Sequence, residues 1–504
     1  MKSKLLGKSL CMLLVLVTLL TLAACGEKDR PMGNETTPSG NNQSTDEGGS
    51  SDSGETTEEP SLLPDPVDLE NYDFIVNVRS AETGNGGFPC EDFWVESISS
   101  DRIETAVFTR NQLIEETFNV NIIQELSQED QRTQIRNAYF GGTAFESAIV
   151  LASDALTLAS ESLLEDLTQQ NNINLEMPYW DANSVEQLSL GGSLFFVSGD
   201  SNINTMDNAV VTIFNKDLLE QYPDLESPYD MVDSGRWTMA NMMEMANIVT
   251  VDLNSDGAIT TADQVGYYSY AASGTYYYYA AGSRVSTNDE TGYPVITAGE
   301  TVTRNVVDYL FRILNPAQNP NTVRGASAER QDMFETNRVL FTDMTLWDVR
   351  KQIRPLNIDY GIVPPPMYSE AQDRYYSLVY FQDCVHLWTL PKTYTDKEKA
   401  ALMMEVFAAY STDTTMNAYY NDVLSYYAAR DPKSIEMLDI VRNSQTYDIA
   451  LGYDWGGFMI FLRNISNPDF ANSYASKCEN DIARATEQMN QVLEAFKNPT
   501  EPTE

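Results

Sequence analysis

The sequence predicts an α/β protein folded into two lobes. Between about residues 70 and 498, strand-like apolar runs alternate with helical stretches, and the strand pattern resumes beyond residue 340. This globular part spans roughly 430 residues, which is more than one hydrophobic core usually serves. Two lobes, each a mainly parallel sheet flanked by helices, therefore account for the pattern most simply.

The first elements alternate in a regular order. The apolar spacing predicts a strand at Tyr72–Val78, a helix over Arg102–Phe118, a strand at Val120–Ile123, a helix near Gln128–Tyr139 and a strand at Ser147–Leu151. Strand–helix–strand repeats of this kind form parallel sheets with right-handed crossovers.

Four later segments are interpreted from their local sequence. Gly191-Gly192 between two apolar runs predicts a hairpin turn. Thr395 to Glu398 reads as a capping box that starts a helix over Lys397–Tyr410. Apolar residues recur every three or four positions from Tyr474 to Phe496, which predicts a long amphipathic helix. The Tyr276–Tyr279 run is interpreted as extended, with two rings toward the core and two toward solvent or a cleft.

The N-terminus has the features of a bacterial lipoprotein signal. Three lysines precede the apolar run Cys11–Leu22, which is too short for a comfortable membrane span. Leu22-Ala-Ala-Cys25 then resembles a lipobox, so residues 1–24 are predicted to be cleaved and Cys25 to be lipidated. The alternative is an ordinary secretory signal with a chance cysteine. Residues 25–66 are rich in Ser, Thr, Gly and Glu and are predicted to be a disordered tether, and residues 499–504 a tail. The expected location is the outer face of the cell membrane.

Composition excludes several classes of function. The formal net charge of −42 argues against nucleic acid as a partner, since phosphate binding needs Lys and Arg. His386 is the one histidine, which excludes multi-histidine zinc sites, and its apolar surroundings favour a buried structural role over a catalytic one. Cys90, Cys384 and Cys478 show no disulfide framework; buried free thiols are expected, with one bonded pair left open. No enzyme is predicted.

Several segments together carry a resemblance to a known family. The run Ala209 to Glu220, followed by Gly235-Arg-Trp-Thr238, is similar to the extracellular solute-binding proteins (family 1) of bacterial ABC importers, whose best-known member is maltose-binding protein. Further matches are Met333 to Trp347 and Asp359 to Pro366. Asn337 stands where the family usually has glycine. Shorter stretches, Pro178–Asp181 and Val197–Asp200, are similar to clostridial lipoprotein members of the family.

The resemblance implies a periplasmic-binding-protein-like fold with a hinge of crossing strands near Val210–Phe214 and Ser377–Trp388. It places lobe one at residues 67–208 with 389–430, and lobe two at residues 209–388 with 431–498. A solute would bind in the interlobe cleft of a monomer and pass to the permease subunits of an ABC transporter.

The solute implied is a sugar or oligosaccharide, which the chain would bind without catalysis. Sugar rings stack on aromatic side chains, and buried hydroxyl groups need polar partners. Trp347 lies where the resemblance puts a sugar-stacking tryptophan, and Trp180 and Trp455 are lesser candidates. The predicted ligand-binding residues are Trp347, Asp343, Trp94, Asp154, Asp200, Tyr276 and Tyr278.

One segment predicts a structural calcium site. Residues 252–263 match the calcium loop of EF-hands at most ligand positions, although the last position is Asp instead of Glu, as in dockerin loops. The predicted Ca²⁺ ligands are Asp252, Asn254, Asp256, the Ala258 carbonyl, Thr260 and Asp263. Gly257 would allow the tight turn and Ile259 would face the core. The alternative is an Asx-rich turn without metal.

Two other functions remain open from the sequence. A secreted carbohydrate-active enzyme with a dockerin-like module would need two calcium loops, and one is present. A surface sugar sensor would use the same fold as the transport protein.

Overall fold

A computed structural model describes residues 62–80, 90–142, 145–380, 384–393, 396–420, 432–469 and 474–498. The chain divides into residues 1–60 and a compact unit of residues 61–504. The predicted signal, Cys25, most of the predicted tether and the tail lie outside the described residues. Residues 62–66, the end of that tether, form neither helix nor strand. No helix in the described part of the chain is both long and apolar enough to span a membrane.

In the described part of the chain, the strands form two main sheets and two small ones. In chain order they are β1 (Tyr72–Val78), β2 (Val120–Leu126), β3 (Ser147–Leu151), β4 (Phe196–Val197), β5 (Val210–Asn215), β6 (Val265–Ser269), β7 (Ser286–Asn288), β8 (Pro294–Ile296), β9 (Thr322–Arg324), β10 (Val339–Thr345), β11 (Tyr360–Val363), β12 (Ser377–Leu378), β13 (His386–Thr389) and β14 (Gln445–Thr446).

Helices cover the two main sheets. They are Arg102–Phe118, Gln131–Gly141, Ala152–Ser160, Ala182–Gln187, Ile203–Asp207, Lys216–Leu219, Pro228–Asp233, Met239–Val249, Ser273–Ala280, Thr301–Leu314, Ser327–Glu335, Leu346–Asp348, Lys397–Ser411, Pro432–Asn443, Ile449–Gly452, Phe458–Asn464 and Tyr474–Lys497. Short 3-10 turns occur at Leu167–Gln169 and Trp455–Gly457, and π-helical turns at Val349–Ile353 and Thr412–Met416.

The first sheet has the order β2-β1-β3-β13-β4. β1 is parallel to β2 and β3, whereas β13 runs antiparallel to both β3 and β4. All five residues of β3 are buried, as expected for a strand covered on both faces. The predicted strand–helix–strand order of this lobe is confirmed.

The second sheet has the order β11-β5-β10-β6-β9. β6 is parallel to β9 and β10, and β5 runs antiparallel to both β10 and β11. Each main sheet is therefore mainly parallel with one reversed strand. The predicted two-lobed α/β fold with a mainly parallel sheet in each lobe is confirmed.

Among the described residues, three chain segments connect the two sheets. The first leads into β5, the second leads from β12 to β13, and an antiparallel bridge joins them at Ala209 and Val379. The third contains β14, which pairs in parallel with β12. Because β13 pairs with β3, residues 386–388 belong to the first sheet, although the sequence prediction put them in lobe two.

The tyrosine run is helical, which corrects the extended interpretation. Tyr276 to Tyr279 lie in the helix Ser273–Ala280, which packs on the helices Thr301–Leu314 and Phe458–Asn464. All four tyrosines are at most 3% exposed. A helix that is apolar on every side has no stripe for sequence periodicity to detect, and it is stable only inside a core.

At two helix N-termini and one turn, a single residue determines the local backbone structure. Asp101 caps the predicted helix Arg102–Phe118 by accepting hydrogen bonds from two backbone amides. The helix Lys397–Ser411 begins with Asp396 as its N-cap, one residue later than the capping box predicts. Asn337 has φ +54°, so it takes the left-handed conformation that a glycine would also supply there.

Candidate functional site

The site residues follow from where the strands end. In parallel α/β sheets, ligands bind beyond the carboxyl ends of the strands. In the first sheet β4 ends at Val197, and Ser198 to Asn202 follow it; in the second sheet β10 ends at Thr345, and Trp347 follows it. The crossing segment that contains the helix Ile203–Asp207 runs between these two edges.

A small pocket contains Trp347. It is lined by Glu91, Asp92, Ile103, Ile203, Asn204, Asp207, Trp347 and Arg350, and we call it the tryptophan pocket. These residues come from the first lobe, from the crossing segment and from the second lobe. Trp347 is half-buried, and the volume of about 40 Å³ has room for a few water molecules and not for a sugar ring. A sugar ring would need more space between Trp347 and the first-lobe wall than this structure shows.

Buried polar groups hold the first-lobe wall of the tryptophan pocket. The Arg110 guanidinium donates to the carbonyl oxygens of Asp92 and Phe93 at 3.0 and 2.8 Å and to Ser411 Oγ at 3.1 Å. Burial lowers the pKa of Arg110 to about 10 and raises the pKa of Asp92. The Asp92 carboxylate accepts from Cys90 Sγ at 3.2 Å and from the Asn204 amide at 3.3 Å, so it also reaches the crossing segment.

A larger cavity lies on the other face of the crossing helix. It measures about 400 Å³, within the usual range of ligand sites, and we call it the crossing cavity. Its lining includes Trp180, Asp181, Asn183, Asp200, Asn202, Thr205, Met206, Met416, Arg442 and Gln445. Asn202, Thr205 and Met206 face this cavity, while Ile203, Asn204 and Asp207 face the tryptophan pocket. One short helix thus forms a wall of both.

The crossing cavity combines carboxylates with one aromatic wall. Arg442 Nη2 donates to Asp200 Oδ1 at 2.7 Å, and Thr412 donates to Asp200 Oδ2 at 2.8 Å. Tyr447 donates its hydroxyl to Asp181 Oδ2 at 2.5 Å. Burial raises the pKa values of Asp181 and Asp200. Asp181 and Asp200 of the first lobe are thus joined to Tyr447, in the third crossing segment, and to Arg442, in the helix Pro432–Asn443 before it.

The predicted ligand-binding residues fall into four environments. Trp347 lines the tryptophan pocket and Asp200 lines the crossing cavity. Trp94 and Asp154 line neither pocket: Trp94 is 38% exposed, and Asp154 pairs with Arg132 at 3.2 Å at the start of the helix after β3.

The remaining three predicted side chains, Asp343, Tyr276 and Tyr278, are buried in the second lobe. Asp343 is fully buried within β10 and accepts hydrogen bonds from Tyr267 and Ser273. Burial raises its pKa to about 6. The Tyr276 ring meets Tyr380 edge-on, and Tyr278 donates to the Arg284 carbonyl oxygen at 2.8 Å.

Sequence reasoning missed Asp207, Arg350 and Arg442. Arg350 lies three residues after Trp347, and that helical spacing was the available signal. Asp207 and Arg442 had no local signal, because their partners Arg350 and Asp200 lie 143 and 242 residues away in the chain.

The predicted calcium loop forms a compact turn. Asp252 accepts hydrogen bonds from the amides of Ser255 and Gly257 at 2.7 and 2.8 Å, and Asp263 accepts from Leu253 and Thr260. Gly257 has φ +86°.

The loop has oxygen donors of the type that Ca²⁺ prefers. No three acidic, histidine or cysteine side chains gather closely enough for a metal among the described residues. Backbone hydrogen bonds, led by that from Thr260, lower the pKa of Asp263. Ile259 packs against the second-lobe core, as predicted.

The surroundings of His386 and of the three cysteines indicate structural roles. His386 is fully buried at the start of β13, and burial with the charge of Arg79 lowers its pKa to about 3. Neither ring nitrogen hydrogen-bonds to a described residue. Cys90, Cys384 and Cys478 are free thiols.

Comparison with solved structures identifies the fold. A cyclo/maltodextrin-binding protein complexed with maltotetraose is 12% identical and superposes with a TM-score of 0.55, covering 86% of this chain and 98% of that chain. The maltose-binding periplasmic protein of Listeria monocytogenes, in complex with maltose, is 11% identical with a TM-score of 0.52, covering 84% and 98%. No protein-family model matches the chain, and a search of curated proteins gave no match either. The chain therefore has the two-lobed fold of maltose-binding-protein-like solute-binding proteins.

Proposed function

We propose that this protein binds a sugar or an oligosaccharide between its two lobes and catalyses no reaction. The observation that carries the proposal is the fold, which spans 86% of the chain and 98% of a maltodextrin-binding protein. The pockets at the carboxyl edges of the two sheets agree with it, because they join both lobes to the crossing segments.

The side chains of the tryptophan pocket suit a saccharide. A half-buried Trp347 offers a ring for the C–H face of a sugar, and Glu91 and Asn204 offer partners for its hydroxyl groups. Covering about 50 Å² of apolar surface contributes only ~1.3 kcal/mol at ~25 cal/mol/Å². Selectivity must therefore come from the hydroxyl groups, because a buried polar group left without a partner costs more.

The proposed role is delivery of the bound solute to an ABC permease. The support is the predicted lipobox at Leu22–Cys25 and the long polar segment that follows, which would hold the folded part near the membrane. Cys25→Ala should abolish lipidation, measured by partition of the full-length protein between detergent and aqueous phases. If the wild type stays wholly in the aqueous phase, the anchor is refuted. The clostridial lipoprotein type and the monomeric state belong to the same proposal.

We also propose that residues 252–263 bind one structural Ca²⁺. The support is the sequence match and the donor chemistry of its Asp and Asn side chains. Binding would require Asp252 and Asp263 to exchange backbone hydrogen bonds for the ion.

Binding and closure test the main proposal. Wild-type protein is titrated calorimetrically with maltose and maltotetraose, and by thermal shift with a wider glycan panel, with peptides and polyamines as controls. Sugar binding with contraction in small-angle scattering is the expected result, since closure is a hinge motion around the ligand. Tight binding of a peptide or polyamine without sugar binding would overturn the saccharide assignment.

A further inference from the structure

Asp207 is the meeting point of three chain segments. It ends the crossing helix Ile203–Asp207, just before β5. Arg350 Nε donates to Asp207 Oδ1 at 3.2 Å, and Arg350 Nη2 donates to Oδ2. Tyr419, which follows the first-lobe helix Lys397–Ser411, donates its hydroxyl to Oδ1 at 2.5 Å. Asp207 is 3% exposed and Tyr419 is fully buried, so these two members of the junction are shielded from bulk water.

The contact with Asp207 favours the charged form of Arg350. Burial alone would lower the pKa of Arg350, but the neighbouring Asp207 carboxylate outweighs it and raises that pKa. A fork of two parallel hydrogen bonds fixes the plane of the guanidinium as well as its position. Lysine has one ammonium group and cannot reproduce the fork.

Arg350 and Trp347 lie one helical turn apart. Both line the tryptophan pocket, and residues three positions apart on a helix share a face. Arg350 lies in the π-helical turn Val349–Ile353, a distortion often found at functional sites. The fork to Asp207 therefore restrains the helical turn that presents the Trp347 ring.

We propose that Arg350 is a positioning residue for the saccharide site. Its fork to Asp207 sets the orientation of the Trp347 ring and joins that ring to the crossing segment and to the first lobe through Tyr419. This inference rests on the proposed function for its effect on affinity. Its effect on the ring itself needs no ligand.

The first arm of the test observes the ring directly. The protein has six tryptophans, so 5-fluorotryptophan labelling gives six ¹⁹F resonances; Trp347→Phe and Trp237→Phe each assign one of them. Arg350→Lys and Asp207→Asn should each shift or broaden the Trp347 resonance and leave unchanged the resonance of Trp237, which is fully buried and donates to the Pro364 carbonyl oxygen. The Trp237 signal also reports that the variants remain folded.

Arg136→Lys is the matched control. Arg136 forms the same two-pronged pair with Glu161, but both side chains are 36% exposed and far from Trp347 in the sequence. Its substitution should leave all six resonances in place. An unchanged Trp347 resonance in folded Arg350→Lys and Arg350→Gln would overturn the proposal.

The second arm measures affinity for maltotetraose. Arg350→Lys should bind roughly tenfold more weakly than wild type, the scale of one lost charge-assisted hydrogen bond. Arg136→Lys should bind like wild type. If the wild type does not bind maltotetraose, the proposed function fails for this sugar, while the resonances still decide the role of Arg350. A shifted Trp347 resonance with unchanged affinity would overturn the part of the proposal that concerns the ligand.

Discussion

Asp448 offers a sharp test of how the second lobe is held together. This carboxylate is 2% exposed and accepts five hydrogen bonds. The donors to Oδ2 are the Tyr279 hydroxyl at 2.8 Å and the amides of Val285 and Ser286 at 2.7 and 3.2 Å. The donors to Oδ1 are the Ser286 hydroxyl at 2.8 Å and the Ala450 amide at 3.0 Å. Asp448 thus joins the helix Ser273–Ala280, β7 and the segment after β14.

Asp448→Asn replaces one of these oxygens with an NH₂ group. Placed at Oδ2, the NH₂ group would face three donors; placed at Oδ1, it would face the Ala450 amide and require the Ser286 hydroxyl to reverse. The second arrangement costs less and still leaves one buried amide without an acceptor. We therefore expect the free energy of unfolding to fall by about 1–3 kcal/mol, the cost of one unsatisfied buried group.

Urea unfolding at neutral pH, followed by circular dichroism, measures this change. Asp289→Asn is the matched control, because Asp289 is exposed and accepts three hydrogen bonds, all at Oδ1, which asparagine can keep. Its effect should stay within about 0.5 kcal/mol. Equal effects of the two substitutions, or no effect of Asp448→Asn, would refute the reasoning.

Three further predictions concern pH, ligand and metal. Burial raises the pKa of Asp343 from 3.8 to about 6, so its stabilising contribution is present below pH 3.8 and is lost as the pH rises through 6. Between pH 5 and 7 the wild type should lose about 1.3 kcal/mol of stability relative to Asp343→Asn, and parallel pH profiles in thermal unfolding would contradict this. Trp347→Ala should weaken saccharide binding by ~1–3 kcal/mol in calorimetry, and unchanged affinity would move the stacking role to another aromatic residue. EDTA should lower the melting temperature of the wild type and not of Asp256→Ala; no EDTA effect, with no calcium in elemental analysis, would exclude the calcium site.

Local sequence determined the elements whose side chains alternate between core and solvent. The strand Tyr72–Val78, the helix Arg102–Phe118 and the long helix Tyr474–Lys497 have the bounds, or nearly the bounds, that apolar spacing predicts. Each has one face that is more buried than the other, so the spacing of its apolar residues reveals the type of element. The resemblance to solute-binding proteins then supplied the two-lobed fold, which the comparison with solved structures confirms.

Elements that are buried on every side lack this spacing of apolar and polar residues. The helix Ser273–Ala280 is enclosed by other helices, so its tyrosines show no stripe, and only packing decides that they are helical. Asp343 follows apolar residues just as a cleft residue would, but the neighbouring strands and Tyr267 cover it.

The sequence by itself determined the class of fold, the order of its elements and the segments that reach the carboxyl edges of the sheets. Tertiary structure alone decided which charged groups meet there. Asp207 contacts Arg350 across 143 residues and Tyr419 across 212 residues. Contacts of that separation leave no period in the local sequence, because they depend on how whole sheets and crossing segments pack. The junction that we propose to orient Trp347 therefore became visible only in the folded chain.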